Sequence, residues 1–125
     1  MILIDTSVWI EFFKQDSHFV EEVTPLLINK MVITIEPVFS ELIYGVRNKR
    51  DKKKILSYWD ILPKIEFGRN TMLKTAEFAN ENNYHNLGIG LMDAILIKSA
   101  IDGNHSIWTL DNRINKNIEN KFLYQ

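Results

Sequence analysis

The sequence predicts an α/β fold, in which a mostly parallel central sheet is covered by helices on both faces. Three short apolar runs with strand composition, at residues 2–4, 31–35 and 105–109, are separated by segments with helical periodicity. Alternating strands and helices are typical of parallel sheets, because parallel neighbours need a crossover connection that is usually a helix. Residues 91–102 form a helical pattern that is apolar nearly all round, which indicates a helix buried against such a sheet.

The first elements of the chain are a strand and two helical segments. Residues 2–4 (ILI) have the composition of a short buried strand, and Thr6 or Ser7 can cap the helix that follows. This helix carries four large apolar side chains: Val8, Trp9, Phe12 and Phe13. A second helical region spans about 18–30, where Pro25 predicts either a kink or a restart with proline in the first turn.

The middle of the chain continues the alternation. The run 31–35 (MVITI) has strand composition, and Pro37 fits the first turn of a helix that ends near Gly45. Residues 51–60 can form a helix with three apolar side chains on one face: Ile55, Leu56 and Trp59. The segment 64–67 (KIEF) is short and partly apolar, and it predicts a further strand.

The last third contains two helices and a strand. Asn70 or Thr71 begins a helix with apolar residues at regular spacing, namely Leu73, Ala76 and Ala79. The buried helix at 91–102 is terminated by Gly103, and residues 105–109 (HSIWT) form the next strand. The tail that follows ends in three large side chains: Phe122, Leu123 and Tyr124.

Composition limits the class of protein. The chain has 125 residues, a net charge of −1 and no cysteine, which excludes disulfide scaffolds, thiolate metal sites and cysteine nucleophiles. No apolar stretch approaches the roughly 18 residues of a membrane span, and the apolar N-terminal run lacks the features of a signal peptide. No repeat or linker divides the chain. We therefore expect a single domain, residues 1–125, that is cytoplasmic and has no membrane partner.

The small net charge hides a strongly basic segment. Residues 47–54 (RNKRDKKK) carry six basic side chains and one acidic side chain, a local charge of +5, so the rest of the chain carries −6. Such a run is either a solvated helix face or a surface that binds phosphate groups. The sequence alone leaves both interpretations open.

Four acidic residues lie where an α/β fold places its chemistry. Functional sites in parallel sheets lie outside the carboxyl ends of the strands. Asp5 directly follows the first strand, and Asp111 follows the last strand by two residues. Asp93 lies in the first turn of the apolar helix, and Glu41 lies within an otherwise apolar helical segment. Because burying an isolated carboxylate is costly, these four side chains need partners.

Each acid also has a purely structural interpretation. Asp5 and Asp111 are able to cap helices, Asp93 is favoured at a helix N-terminus, and Glu41 can pair with Arg47. Basic residues crowded into one segment cannot easily neutralise acids from four segments, whereas Mg²⁺ or Mn²⁺ prefers carboxylate oxygens as ligands. The three histidines share no spacing, which argues against a zinc site or a histidine-based triad.

Four short segments, taken in order and spacing, resemble the PIN-domain ribonucleases, and most closely the VapC-type toxins of bacterial and archaeal toxin–antitoxin systems. The segments are 3–10 (LIDTSVWI), 40–47 (SELIYGVR), 93–97 (DAILI) and 109–111 (TLD). Each is weakly specific alone, but together they cover essentially the whole chain. One departure follows the fourth acid, where many relatives have an aromatic residue and this chain has the tripeptide NRI.

The resemblance implies a fold, a site and a reaction. The fold is a three-layer α/β/α sandwich, and the catalytic and metal-ligating residues are the four acids: Asp5, Glu41, Asp93 and Asp111. Supporting side chains behind them are Thr6, Ser7 and Thr109. The cofactor is Mg²⁺ or Mn²⁺, which activates water to hydrolyse an RNA phosphodiester. RNA phosphates are expected on the basic segment, at Arg47, Lys49, Arg50, Lys52, Lys53 and Lys54.

Two partners besides the RNA substrate are expected. The chain has seven Phe, four Tyr and three Trp, and the N-terminal helix has Trp9, Phe12 and Phe13 on more than one face, which predicts an exposed apolar surface and a homodimer. Core or dimer packing is the preferred interpretation of these rings and of Tyr44, although they are also able to stack on bases. The resemblance adds a cognate antitoxin, whose C-terminal segment lies in a hydrophobic groove and inserts an arginine among the acids.

Two rival functions remain open on the sequence. An Asp directly after the first strand is also the nucleophile of enzymes that pass through an aspartyl phosphate, and of receiver domains. The chain lacks the second Asp two residues beyond Asp5 and the lysine after a late strand that these proteins require. The other rival is a non-catalytic PIN-like module that only binds RNA or protein, against which the presence of all four acids counts.

Overall fold

The centre of the protein is a three-stranded parallel sheet. The computed structural model describes all 125 residues. β1 (Ile2–Ile4) is the middle strand and pairs in parallel with β2 (Val32–Ile33) on one side and with β3 (Ser106–Trp108) on the other. Each connection contains helices, as parallel neighbours require. The predicted α/β fold with a parallel central sheet is confirmed.

Seven helices flank the sheet in an α/β/α arrangement. Among the helices, α1 packs against α2 and α3, α3 packs against α4, and α5 packs against α6. None of these helices is long and apolar enough to cross a membrane. Two single 3₁₀ turns complete the secondary structure, at Tyr84–Leu87 and Asn120–Phe122. The helices are α1 (Thr6–Phe13), α2 (Ser17–Ile28), α3 (Glu36–Gly45), α4 (Lys49–Ile61), α5 (Thr71–Glu81), α6 (Leu91–Gly103) and α7 (Asn112–Asn117).

The predicted strand at 64–67 is wrong. The segment makes one isolated parallel bridge, between Thr34 and Lys64. The backbone N–H of Thr34 donates to the carbonyl of Pro63 at 3.0 Å, and the N–H of Ile65 donates to the carbonyl of Thr34 at 2.9 Å. Pro63 has no N–H to extend the ladder, so the pairing stops after one bridge.

The C-terminal tail extends the opposite edge of the sheet. Leu123 forms an isolated parallel bridge with Ile107 of β3, and the N–H of Tyr124 donates to the Ile107 carbonyl at 2.8 Å. Phe122 and Leu123 are buried in the core. The apolar tail noted in the sequence is therefore a structural part of the sheet edge.

The structure corrects the predicted cap of the first helix and excludes one of the two alternatives for the second. The N-cap of α1 is Asp5, whose side chain accepts a hydrogen bond from the backbone N–H of Thr6, so neither Thr6 nor Ser7 is the cap. α2 is a single helix that contains Pro25, and it does not restart there. Proline deprives the carbonyl four residues earlier of its donor, and that residue, Glu21, is exposed, where water can replace the bond.

The aromatic side chains of α1 belong to the core. Trp9 is fully buried and Phe12 is only 7% exposed. Their rings pack against Phe39 of α3 and Tyr58 of α4 with centroid distances between 5.4 and 6.2 Å. The prediction that these side chains form an exposed apolar surface is therefore wrong for Trp9 and Phe12, which α3 and α4 cover, whereas Phe13 is half-buried. The most exposed large apolar side chains lie elsewhere, for example Tyr44, which is 94% exposed.

Candidate functional site

The four predicted acids line one cavity of about 390 Å³. Asp5 follows β1, Asp111 lies beyond β3, Asp93 lies in the first turn of α6, and Glu41 lies on α3. The parallel sheet explains the arrangement, because the carboxyl ends of its strands meet at one edge. The cavity is completed by Thr6, Ser7, Ile10 and Leu110.

Asp5 is the most tightly held carboxylate of the site. It is 9% exposed. Its Oδ1 accepts a hydrogen bond from the backbone N–H of Thr6 at 2.7 Å. Its Oδ2 accepts hydrogen bonds from the hydroxyl groups of Thr109 at 2.6 Å and Ser7 at 3.2 Å. Because both oxygens are engaged, the carboxylate has a fixed orientation towards the cavity.

The same hydroxyl groups join the loop after β3 to the start of α1. Thr109 Oγ1 also accepts from the backbone N–H of Asp111 at 3.0 Å, and Ser7 Oγ accepts from the N–H of Leu110 at 3.1 Å. Thr109 is 5% exposed. The Thr6 hydroxyl in turn donates to Glu41 Oε1 at 3.4 Å. All three hydroxyl residues predicted to support the acids are therefore in contact with at least one of them.

Glu41 and Asp93 are the two acids of the cavity whose pKa values are raised. Burial raises the pKa of Glu41, the charge of Asp5 adds to this, and the hydrogen bond from Thr6 opposes it. Burial also raises the pKa of Asp93, with further contributions from the charges of Asp5 and Asp111. Like charges that crowd one cavity favour protonation or a bound cation.

Asp111 has its own cation. Its side chain caps α7 by accepting from the backbone N–H of Arg113 at 2.8 Å, and the Arg113 guanidinium contacts both carboxylate oxygens. Burial would raise the pKa of Asp111, but the hydrogen bonds and charge of Arg113 outweigh it, so the pKa is lowered. Arg113 was not predicted as a site residue, although its position two residues after an aspartate that can cap a helix was a visible signal in the sequence.

A cationic groove adjoins the acidic cavity. It has a volume of about 390 Å³, lies between α1, α3 and α4, and shares Ile10 and Glu41 with the cavity. Its basic residues are Lys14, Arg47 and Lys54, and we call it the cationic groove below. Among the predicted RNA-binding residues, Arg47 and Lys54 line it, whereas the other four are exposed but outside it: Lys49, Arg50, Lys52 and Lys53. Lys14 was not predicted, because it lies outside the basic run.

The donor set of the cavity suits a hard divalent cation. Four carboxylates supply only oxygen ligands, which Mg²⁺ and Mn²⁺ prefer, and burial together with the neighbouring carboxylate charges raises the pKa of two of the four. No group of three or more acidic or histidine side chains has the geometry of a complete metal-coordination site. The residue chemistry fits such an ion, and the carboxylates line one cavity without converging on one point.

Comparisons with known proteins agree on one family and one fold. The PIN domain family matches residues 2–119. VapBC2 from Rickettsia felis, bound to a DNA fragment from its promoter, is similar with 23% identity, a TM-score of 0.77 and coverage of 99% of this chain and 98% of the other. VapBC-1 from nontypeable Haemophilus influenzae has 22% identity, a TM-score of 0.66 and coverage of 93% and 94%. A toxin–antitoxin complex from Klebsiella pneumoniae has 13% identity, a TM-score of 0.73 and coverage of 91% and 90%. No curated protein matches the sequence significantly.

Proposed function

The chain belongs to the PIN domain family, and from this premise we propose that it is a metal-dependent endoribonuclease that acts as the toxin of a toxin–antitoxin pair. The observation that carries the proposal is the gathering of Asp5, Glu41, Asp93 and Asp111 around one cavity beside the cationic groove. This combination suits hydrolysis of a polyanion, because the acids attract a divalent cation and the groove attracts phosphates.

The roles of the side chains follow from their contacts. The four acids would hold Mg²⁺ or Mn²⁺, which supplies an activated water and offsets charge on the phosphodiester. Thr109 and Ser7 hold the Asp5 carboxylate in one orientation, and Thr6 orients Glu41. The basic side chains of the cationic groove bind backbone phosphates next to the acids.

The direct test is incubation of the purified chain with RNA in Mg²⁺, in Mn²⁺ and in EDTA. We expect cleavage in either metal and none in EDTA. RNA binding without cleavage under all three conditions would instead favour the non-catalytic module. Stoichiometric labelling of Asp5 by a small phosphodonor would favour the aspartyl-phosphate rival.

Lys54 tests the cationic groove. Lys54→Gln should weaken the binding of a labelled single-stranded RNA. The negative slope of log affinity against log salt should become less steep by about 0.7, because one phosphate contact is lost. Lys53→Gln is the matched control, since Lys53 lies on the same helix and is exposed but lies outside the groove. Equal slopes for wild type and Lys54→Gln would mean that the groove does not contact RNA. Equal losses in both variants would mean that only the overall charge of α4 matters.

We also propose an antitoxin partner, because the similar structures include toxin–antitoxin complexes. The cationic groove has an apolar wall formed by Ile10, Phe13, Leu42, Val46 and Ile55, which suits the apolar face of a peptide. A segment in this groove would reach the acids and compete with RNA, and an arginine at its end would pair with the carboxylates. Inhibition should weaken when that arginine becomes alanine, and equal inhibition would indicate a purely steric block.

The homodimer remains a prediction, but it now rests on apolar side chains outside the aromatic cluster of α1. Trp9 and Phe12 of α1 do not supply the apolar surface, but Tyr44, Ile61 and Leu73 are 94%, 76% and 65% exposed. Large exposed apolar groups favour association. Light scattering at micromolar concentration should give twice the monomer mass, and a monomeric mass together with full activity would contradict the prediction.

A further inference from the structure

Arg113 is fixed beside the acidic cavity by three hydrogen bonds of its guanidinium. Nε donates to Asp111 Oδ1 at 3.4 Å, Nη2 donates to Asp111 Oδ2 at 3.3 Å, and Nη1 donates to the carbonyl of Gly88 at 3.0 Å. A guanidinium has five N–H groups, so two remain free. The side chain is 60% exposed. A fixed, accessible guanidinium with two free donors is well suited to bind phosphate oxygens.

The backbone at Gly88 makes room for this side chain. Gly88 has φ of +73°, and a Cβ at this position would lie 3.3 Å from Cδ and 3.7 Å from Nη1 of Arg113. A side chain here would be strained and would crowd the arginine. The turn leads into α6, which carries Asp93. Arg113 thus links the two segments that present Asp93 and Asp111.

Arg113 lies at the opposite end of the acids from the cationic groove. Glu41 is the one of the four acids that also lines the cationic groove. Asp5 follows the middle strand β1, Asp111 follows β3 on one side of it, and Glu41 lies on α3, which follows β2 on the other side. Asp5 therefore lies between Glu41 at one end and Asp111 at the other. Positive charge flanks the acids on both sides, with the groove beside Glu41 and Arg113 beside Asp111.

This placement matters for a polyanionic strand that has to lie across carboxylates. The carboxylates repel phosphates. An RNA strand held only in the cationic groove would therefore be repelled where its backbone continues past the acids. A second fixed cation on the far side would hold the next part of the backbone. Resting on the function proposed above, we propose that Arg113 binds an RNA phosphate on the side of the acids away from the cationic groove, with Asp111 as the positioning residue of its guanidinium.

The test is RNA binding in EDTA, where no cleavage is expected. The probe is a fluorescently labelled single-stranded RNA oligonucleotide of mixed sequence, titrated at several salt concentrations. Arg113→Gln should bind the RNA about tenfold more weakly at low salt. The negative slope of log affinity against log salt should become less steep by about 0.7. Arg113→Lys keeps the charge but loses the planar fork, so it should restore the slope without restoring full affinity.

Lys116→Gln is the matched control, because Lys116 is exposed on the same helix, α7, and carries the same charge. If it lowers the slope as much as Arg113→Gln, the effect is long-range charge and the proposal fails. An unchanged slope with a lowered melting temperature in Arg113→Gln would make Arg113 a tether of the Gly88 turn only, which also overturns the proposal. Both of these results leave the proposed function intact. If the wild type neither binds nor cleaves RNA, the proposed function itself fails.

Discussion

Asp93→Asn is expected to lower the rate of RNA cleavage by more than about a hundredfold. Replacing groups that only support metal ligands typically costs about 10–100-fold, and loss of a ligand carboxylate should cost more. Asparagine has nearly the same shape, so the helix should remain folded. The measurement is single-turnover cleavage of a labelled RNA in saturating Mg²⁺ or Mn²⁺. Cleavage at the wild-type rate would remove Asp93 from the catalytic site.

The control for Asp93→Asn is Asp102→Asn. Asp102 lies on the same helix, α6, but pairs with Lys98 outside the acidic cavity. Its substitution removes the same charge and should leave the cleavage rate close to that of the wild type. Loss of cleavage in both variants would indicate a general effect of charge on α6.

Asp93→Asn should also change stability in a direction that identifies the cavity. The pKa of Asp93 is raised in the folded state by burial and by the charges of Asp5 and Asp111. In the pH range between the unfolded and the folded pKa of Asp93, the folded protein therefore binds more protons than the unfolded chain. Protonated Asp93 favours the folded state, and this stabilisation is lost as the pH rises through that range. Without metal, Asp93→Asn should melt at a higher temperature than wild type at neutral pH, and the difference should shrink in acid.

Thr109→Val should reduce both stability and activity. The valine is similar in shape but removes the hydroxyl that donates to Asp5 Oδ2 and accepts from the backbone N–H of Asp111. Leaving buried polar groups without a partner costs about 1–3 kcal/mol of unfolding free energy. Cleavage should fall about 10–100-fold, as is typical when a partner of a metal ligand is lost. Denaturant unfolding and single-turnover cleavage measure the two effects.

Thr109→Ser separates the hydroxyl from the methyl group. Serine keeps the hydroxyl and loses only the methyl group, so it should retain most of the activity with a stability loss of about 1 kcal/mol or less. If serine and valine impair cleavage equally, packing rather than the hydrogen bond to Asp5 is responsible. If valine has no effect on either measurement, the Thr109 hydroxyl does not position Asp5.

The acids could be located from the sequence because their positions follow from simple topology. Asp5 and Asp111 come after strands, and Asp93 begins a helix, so the parallel sheet alone brings these three to one edge. Glu41 joins them because α3 packs against α1, a tertiary contact that helical periodicity does not specify. The resemblance to a known family supplied that placement.

The cations of the site were harder to predict than the acids. Lys14 lies outside the basic run, at the end of α1, where it also pairs with Glu11 at 3.8 Å, and it lines the cationic groove only because α4 packs nearby. Arg113 contacts Gly88, 25 positions earlier in the chain, through a turn whose geometry depends on a positive φ. A charge run such as 47–54 is conspicuous in a sequence, but four of its six basic residues lie outside the groove. Tertiary packing determines which basic side chains lie beside the acids, and local sequence patterns do not specify that packing.

The order of synthesis has a consequence for the living cell. Asp5 leaves the ribosome well before the residue whose hydroxyl holds it, because that hydroxyl belongs to Thr109, 104 positions later. The middle strand of the sheet also pairs with β3, which is translated about a hundred positions after it. A nascent chain therefore cannot complete its acidic cavity until Asp111 has been translated, so the cleavage proposed for this cavity has to wait until that point of synthesis.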